Sequence, residues 1–402
     1  MSKNINTLID LGSNNLKCAI FSHEGKKSNL IAFSEKKTRG IHNSTITNFD
    51  EACKSLSSVI SDVEKKSKIT LEKITVIIEP KELVTTRITN FKKMEGNKID
   101  KSDINFLLRE SKKNVEKNDK NLSQIHIFNN IYKVDEKIYK ELPINIFCNK
   151  LSVENIFVSL PLNILKNINA VFNYCNLEIN KFISSSYASG IYLFDKQNLQ
   201  EGCVIIDIGF EKTSVAIFQN YSLIKLSVFP IGSNHISKDI SKVCYLNQEE
   251  AEKIKLDYLL SNKLDKNNSN IDYLPEEYFI FSKYRKIPLN FIHDIISSRV
   301  EEIMQQIIKQ MNIIDLKNIN QRLFFIGGGS GIVKSIEKIN SGFDNSLFKN
   351  FDIIDNNEIN LNSINCISGQ NLFLNGWPSE AVGIPMQDQK KGIFTRFFEL
   401  FS

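Results

Sequence analysis

The sequence predicts an α/β fold in which one strand–turn–strand–strand–helix unit occurs twice, with a ligand cleft between the copies. Three observations predict it. An apolar strand enters and leaves an Asp-x-Gly turn at residues 5–21, the same pattern returns at 204–218, and a triple glycine follows a third apolar strand at 323–326. In each, small and polar turn residues stand at the end of a strand whose apolar content demands burial.

In the first copy, strands over 5–11 and 16–21 flank the turn Asp10-Leu11-Gly12-Ser13-Asn14-Asn15. A third strand near 30–33, a helix over 49–65 and a strand at 74–79 complete it. From 81 to 160 the texture changes: strand-like runs at 83–88, 125–132, 144–148 and 156–160 surround one charged helix, 101–116, as an inserted small α/β subdomain would. A helix over 162–175 leads to Ser184-Ser185-Ser186-Tyr187-Ala188, which reads as the start of another. The second copy follows, with strands at 204–208, 215–218 and 223–229 around Asp207-Ile208-Gly209-Phe210-Glu211-Lys212-Thr213. Helices are expected at 233–244, 248–260 and 290–312, with a strand pair near 278–287 before the last. Gly327-Gly328-Gly329-Ser330 then opens a helix, and 380–384 begins a final one.

Composition bounds the function. The 402 residues, 42% hydrophobic and 24% charged, are enough for two domains. A formal charge of +5 without basic runs interleaved with aromatics argues against nucleic acid as a partner. The seven cysteines are scattered and never form a CxxC pair, so buried, reduced thiols are expected. The polar N-terminus suggests no signal peptide, and no apolar run approaches the ~20 residues of a membrane span.

The turns carry the chemistry. Backbone N–H groups around Gly12, Ser13, Asn14 and Asn15 can wrap phosphate oxygens, and Lys17 on the returning strand adds positive charge. Asp10 can hold Mg²⁺ through water, because that ion keeps most of its hydration shell. Asp207, Gly209 and Thr213 repeat the acid, the glycine and the later hydroxyl, so Asp207 is a second candidate for water-mediated Mg²⁺ contact. Gly327, Gly328, Gly329 and Ser330 let a flat ligand approach the backbone at a helix N-terminus. Glu252 and Lys255, three apart, share one helix face.

The order Asp10-x-Gly12-Ser13-x-x-x-Lys17, Asp207-x-Gly209-x-x-x-Thr213, Gly327-Gly328-Gly329 is similar to the phosphate and adenosine loops of the actin, hsp70 and sugar-kinase superfamily, whose fold is RNase H-like. Within it the chain resembles the bacterial cell-division family FtsA over essentially its whole length. The inserted subdomain, Pro230-Ile231-Gly232-Ser233-Asn234 with Ala251-Glu252-Lys253-Ile254-Lys255, and the Ser379-Glu380-Ala381-Val382-Gly383 ending carry the resemblance, together with the C-terminal helix described next. It implies a first actin-like domain from 1–80, 161–200 and 376–387, an insert at 81–160 and a second actin-like domain at 201–375. It also implies ATP with Mg²⁺ as ligand, Gly232, Glu252 and Lys255 on the adenosine side, and self-assembly into filaments. The implied partners are the FtsZ C-terminal tail and other division proteins. The long helix carrying Arg299 and Glu302 would hold that tail, with Arg299 making the charge contact.

The tail reads without any family. On a helix, Ile393, Phe394, Phe397, Phe398, Leu400 and Phe401 fall in one arc of about 160°. Lys390, Lys391 and Arg396 edge it, as suits an interfacial anchor facing anionic lipid after a linker at 388–392. With the FtsA resemblance, such an anchor implies peripheral attachment to the cytoplasmic face of the inner membrane, at the division site. Two departures stand out: Phe210-Glu211-Lys212 interrupts the second loop, and 184–188 offers no Glu or Gln to orient an attacking water, so hydrolysis should be slow. The alternatives are an exopolyphosphatase or guanosine-pentaphosphate phosphohydrolase, which opens with a similar Asp-x-Gly-Ser-Asn turn, and a pilus-assembly adaptor of the same fold.

Overall fold

The computed structural model describes residues 4–25, 27–259, 264, 272–311, 322–334, 351–353, 363–376 and 379–381. The contacts group into two compact units: Met1–Val204 with Ala216–Val228 and Asn362–Ser402, and Ile205–Val215 with Phe229–Leu361.

The first unit begins with β1 (Asn4–Leu11), β2 (Asn15–Glu24) and β3 (Lys27–Lys37), an antiparallel meander in which Asp10 lies directly opposite Lys17. A short ribbon, β4 (Ile41–His42) with β5 (Thr45–Ile46), leads to helix α1 (Phe49–Ser67). Asn48 accepts from the Glu51 N–H at its start, and Lys68 ends it in the left-handed conformation. Ala52, Leu56, Val59, Ile60 and Val63 recur at helical spacing and are buried. Strand β6 (Lys73–Ile78) then runs parallel to β1.

Residues 84–161 build a second sheet with its own core. It contains β7 (Val84–Lys93), β8 (Leu122–Val134), β9 (Lys137–Tyr139) and β10 (Lys150–Pro161) in the order β7-β10-β8-β9, and helix α2 (Lys101–Asn118). Asp100 and Asp103 cap α2 reciprocally. Ile104 and Leu107 pack with Tyr132, Leu151 and Val153.

Helix α3 (Leu162–Tyr174), strand β11 (Glu178–Ser184) and helices α4 (Ser185–Leu193) and α5 (Lys196–Glu201) follow. Strand β11 completes the first sheet, ordered β11-β6-β1-β2-β3. A third sheet is ordered β14-β13-β12-β15-β16, from β12 (Cys203–Ile208), β13 (Thr213–Gln219), β14 (Ser222–Phe229), β15 (Arg322–Ile326) and β16 (Phe351–Ile353). The second unit carries α6 (Ser233–Val243), α7 (Gln248–Leu259), α8 (Leu289–Met311) and the short α9 (Gly331–Lys334). Helix α10 (Ile364–Asn375) belongs to the first unit, where it packs on α4 and β1.

Three sequence expectations are corrected. Residues 144–148 form no strand: Asn145 has φ of 71° and its N–H donates to the Ile99 carbonyl, so this segment bonds to the loop before α2. Residues 278–287 form no strand pair. A 3₁₀ turn, Glu276–Tyr278, is followed by irregular chain whose Phe281 and Ser282 N–H groups donate to the Glu250 carboxylate, which takes donors a ladder would need. Glu380 starts no helix. Its neighbours bond to β8, Asn129 N–H to Ser379 O and Ala381 N–H to Ile127 O, giving a single antiparallel bridge to Phe128. The rest of that helix, 382–384, lies outside the described residues, as do the linker and the anchor residues Ile393, Phe394, Arg396, Phe397, Phe398, Leu400 and Phe401. Helix α10 has no one-sided apolar period and buries polar residues, Ser368 and Gln370, beside Ile364, Cys366 and Leu372.

Six cysteines are buried and Cys175 is half-buried, all as free thiols. Among the described residues, no helix is long and apolar enough to cross a membrane.

Candidate nucleotide site

On the first unit, the turn between β1 and β2 is tight because Gly12 carries no side chain: a Cβ there would lie 2.5 Å from Asn15 O. The turn is held from outside. Thr38 donates its hydroxyl to Gly12 O (2.8 Å) and its N–H to Asn14 O (2.9 Å). Ser44 Oγ donates to Leu11 O (2.9 Å), and Ser13 Oγ accepts from Asn43 N–H (3.1 Å), which leaves the Ser13 proton to donate. Asn14 and Asn15 tie back to β3, through Lys37 Nζ (2.9 Å) and Glu35 Oε1 (2.5 Å) respectively. Their side chains therefore build the turn, and their backbone is what it can offer a phosphate. Asp10 is buried and accepts from Asn365 Nδ2 at 2.9 Å. No sequence signal marked Asn365, because it reaches Asp10 from 355 residues away.

On the second unit, four separated stretches converge. The turn after β12 closes through Gly209 N–H to Lys212 O (2.9 Å). Its carbonyls Gly209 O and Phe210 O accept from the first N–H groups of α6, Ser233 (2.9 Å) and Asn234 (2.8 Å). The loop thus satisfies donors that would otherwise be orphaned at the start of the helix. The approach is close enough to require glycine at 232, where a Cβ would lie 2.6–2.7 Å from Gly209 O, Lys212 N and Phe210 O, all backbone atoms. Thr213, expected to offer a hydroxyl to ligand, is fully buried and donates it to Ile231 O at 2.7 Å, so it clamps the turn.

The triple glycine lies against the same turn. Gly327 has φ of 92°, and its Cβ position is filled by Asp207 Oδ1 at 2.2 Å; Gly329 donates to Ile208 O at 2.8 Å. Gly328 is different: it is exposed, with nothing within 4 Å of where a Cβ would stand. Ser330 is buried and donates its N–H to Gly327 O. From α7, Lys255 pairs with Glu252 (2.8 Å) and reaches Ser233 O (3.4 Å), while Glu252 accepts from Ser237 Oγ (2.5 Å). Burial pulls the Lys255 ammonium below its ordinary range, partly countered by Glu252.

These features fit a nucleotide. On the second unit the bare backbone at Gly328 suits a flat ring and the glycines on either side keep the surface low, while on the first unit the buried Asp10 carboxylate could accept from the waters of a hydrated Mg²⁺. Arg299 is placed differently. It donates to both oxygens of Asp239 (2.6 and 3.1 Å) and to Glu302, so an acidic peptide would have to displace a carboxylate already there.

The FtsA cell-division family model matches residues 204–346. The chain is 22% identical over 339 residues to the cell-division protein FtsA of Streptococcus pneumoniae, covering 82% of this chain and 72% of that one. It is 22% identical over 340 residues to FtsA of Neisseria meningitidis, covering 83% and 81%. It is 25% identical over 330 residues to FtsA of Buchnera aphidicola subsp. Baizongia pistaciae, covering 80% and 74%. Among solved structures, the PilM–PilN type IV pilus biogenesis complex matches with TM-score 0.59 at 12% identity, covering 92% of this chain and 96% of that one. MreB5 of Spiroplasma citri bound to ADP matches with TM-score 0.50 at 14% identity, covering 92% and 96%. These structures show the fold, which is actin-like, and the sequence relatives show the resemblance to FtsA.

Proposed function

We propose that this FtsA-like chain of actin-like fold is a nucleotide-gated membrane tether of the division machinery. It binds ATP with Mg²⁺, self-assembles, and holds FtsZ filaments at the cytoplasmic face of the inner membrane. One observation carries the nucleotide reading: residues 207–213, 232, 252–255 and 327–330, far apart in sequence, meet at one place on the second unit. In this reading Asp10, Gly12–Asn15 and Lys17 attend the phosphates, while Gly232, Glu252, Lys255 and Gly327–Ser330 attend the nucleoside. Bound ATP would stabilise the folded chain, and 184–188 offers no acid to activate water, so turnover is slow.

The actin-like fold alone does not separate a division tether from a pilus adaptor or a phosphohydrolase. The FtsA relatives favour the first, and so does the amphipathic end. We read residues 81–160, with their own sheet and core, as the insert that meets other division proteins. For the FtsZ tail, α8 with Arg299 and Glu302 is the proposed contact, an acidic peptide there competing with Asp239 for the Arg299 guanidinium.

Burying five or six large apolar side chains of the tail is worth ~1.5–3 kcal/mol each before costs. Helix ordering in the same tail costs ~1–2 kcal/mol per residue. One tail therefore binds weakly, and several along a filament bind firmly. The test is sedimentation with anionic liposomes, with and without residues 393–402 and with and without ATP and Mg²⁺. The chain should pellet best with nucleotide and only with its tail. Pelleting that survives the deletion would sink the anchor, and brisk phosphate release from polyphosphate would favour the phosphohydrolase.

A further inference from the structure

We infer that Asn365, at the start of α10, is the positioning residue that aims the Asp10 carboxylate at a hydrated magnesium ion. This rests on the nucleotide reading above. Successive residues of a strand face opposite ways, so Asn6, Leu8 and Asp10 share one face of β1. Helix α10 lies along that face and is registered against it by a polar seam. Gln370 accepts from Asn6 Nδ2 at 3.0 Å and donates to Ser28 Oγ at 3.0 Å, Cys366 Sγ donates to Leu8 O at 4.0 Å, and Asn365 Nδ2 donates to Asp10 Oδ2 at 2.9 Å. Gly369 brings the helix close, since a Cβ there would lie 2.5 Å from Leu8 Cδ2. The helix cannot slide without breaking each of these contacts.

The orientation of the Asn365 amide is settled by chemistry. An ionised carboxylate only accepts, so the amide nitrogen must face Asp10. The amide oxygen then accepts from Ser189 Oγ on α4, at 3.4 Å. Asn365 is thus fixed from two sides and fixes Asp10 in turn. Among the described residues, no other group hydrogen-bonds or ion-pairs with the Asp10 carboxylate; Lys17, its cross-strand neighbour, closes no ion pair with it. A carboxylate this buried with one amide donor is under-compensated, and its second oxygen is free to accept from the waters of a cation.

The test separates metal from nucleotide. Affinity for a fluorescent ATP analogue is measured across a magnesium titration and again in excess chelator, for the wild type, Asn365→Ala, Asn365→Asp and Ser189→Ala. Asn365→Ala should raise the magnesium concentration needed for half-maximal tightening by roughly tenfold, the scale of about 1.4 kcal/mol, while affinity in chelator stays within about twofold. Asn365→Asp, which sets two carboxylates together, should tighten least with magnesium, and Ser189→Ala should give a smaller shift of the same sign. A general loss of folding would weaken binding with and without metal alike. Unchanged magnesium dependence in Asn365→Ala overturns the positioning role alone. A wild type that binds nucleotide in neither condition overturns the nucleotide reading, and this inference with it.

Discussion

Alanine placed at each of the three consecutive glycines should give three different outcomes, and the order follows from local geometry. At Gly327, φ of 92° lies where an L side chain is strained, at ~1–2 kcal/mol. The new Cβ would also stand 2.2 Å from Asp207 Oδ1 and 2.5 Å from Ile208 O, one of them backbone. Overpacking of this kind costs ~1–3 kcal/mol, so the total is about 2–5 kcal/mol. At Gly329 the contacts are milder, 2.7 Å to a side-chain methyl, Ile208 Cγ2, and 2.9 Å to Ile208 O, and about 1–2 kcal/mol is expected. At Gly328 nothing lies within 4 Å, and the change should stay within about 0.5 kcal/mol for the free protein. Thermal unfolding without ligand reads the strain. Affinity for a fluorescent ATP analogue reads the site: Gly327→Ala should lose more than about tenfold by displacing Asp207, and Gly328→Ala should lose affinity without losing stability, because its methyl would occupy the ring's place. Equal unfolding temperatures for Gly327→Ala and Gly328→Ala would mean that Gly327 is not strained by a side chain.

Glu250 gives a pH prediction. Burial works against its charge, but Ser282 Oγ and the N–H groups of Phe281, Ser282 and Asn247 outweigh that and hold the carboxyl down at about 2, against an ordinary 4.5. A depressed carboxyl stabilises the fold fully above 4.5 and loses that contribution as pH falls towards 2. Glu250→Gln should therefore speed amide exchange at Phe281 and Ser282 by at least about tenfold at neutral pH, with the gap to wild type closing below pH 3; a constant gap would contradict this. For the thiols, a titration of the native chain should show one fast group, lost in Cys175→Ser, because burial raises Cys18, Cys203 and Cys366 and shields them. Fast labelling of any of those three would count against the described packing.

Much of the fold was legible because its signals are local. The Asp10 and Asp207 turns sit between short, nearly continuous apolar runs, and α1 and α8 show one-sided apolar spacing, so both kinds of element declare themselves over short windows. Expectations failed where a distant side chain decided the backbone's fate. Residues 278–287 look like strands until the Glu250 carboxylate, some thirty residues earlier, takes their N–H groups. Glu380 looks helical until β8 takes its neighbours, and its carboxylate is drawn into a buried contact with His126 (3.1 Å) and Lys181 (3.6 Å).

By itself the sequence determined the duplicated α/β plan, the glycines at 12, 209 and 327–329, and the amphipathic character of residues 393–402. Those properties depend on neighbours along the chain: turn stereochemistry, short apolar runs and helical period. Only the folded chain shows what each candidate residue touches. Gly232 is a glycine because three backbone atoms crowd it, Thr213 faces inward to Ile231, Arg299 is paired with Asp239, and Asp10 accepts from an asparagine 355 residues away. Hydrogen bonds and steric contacts act over a few ångströms of space, whatever the separation along the chain, and a reading along the chain cannot see them.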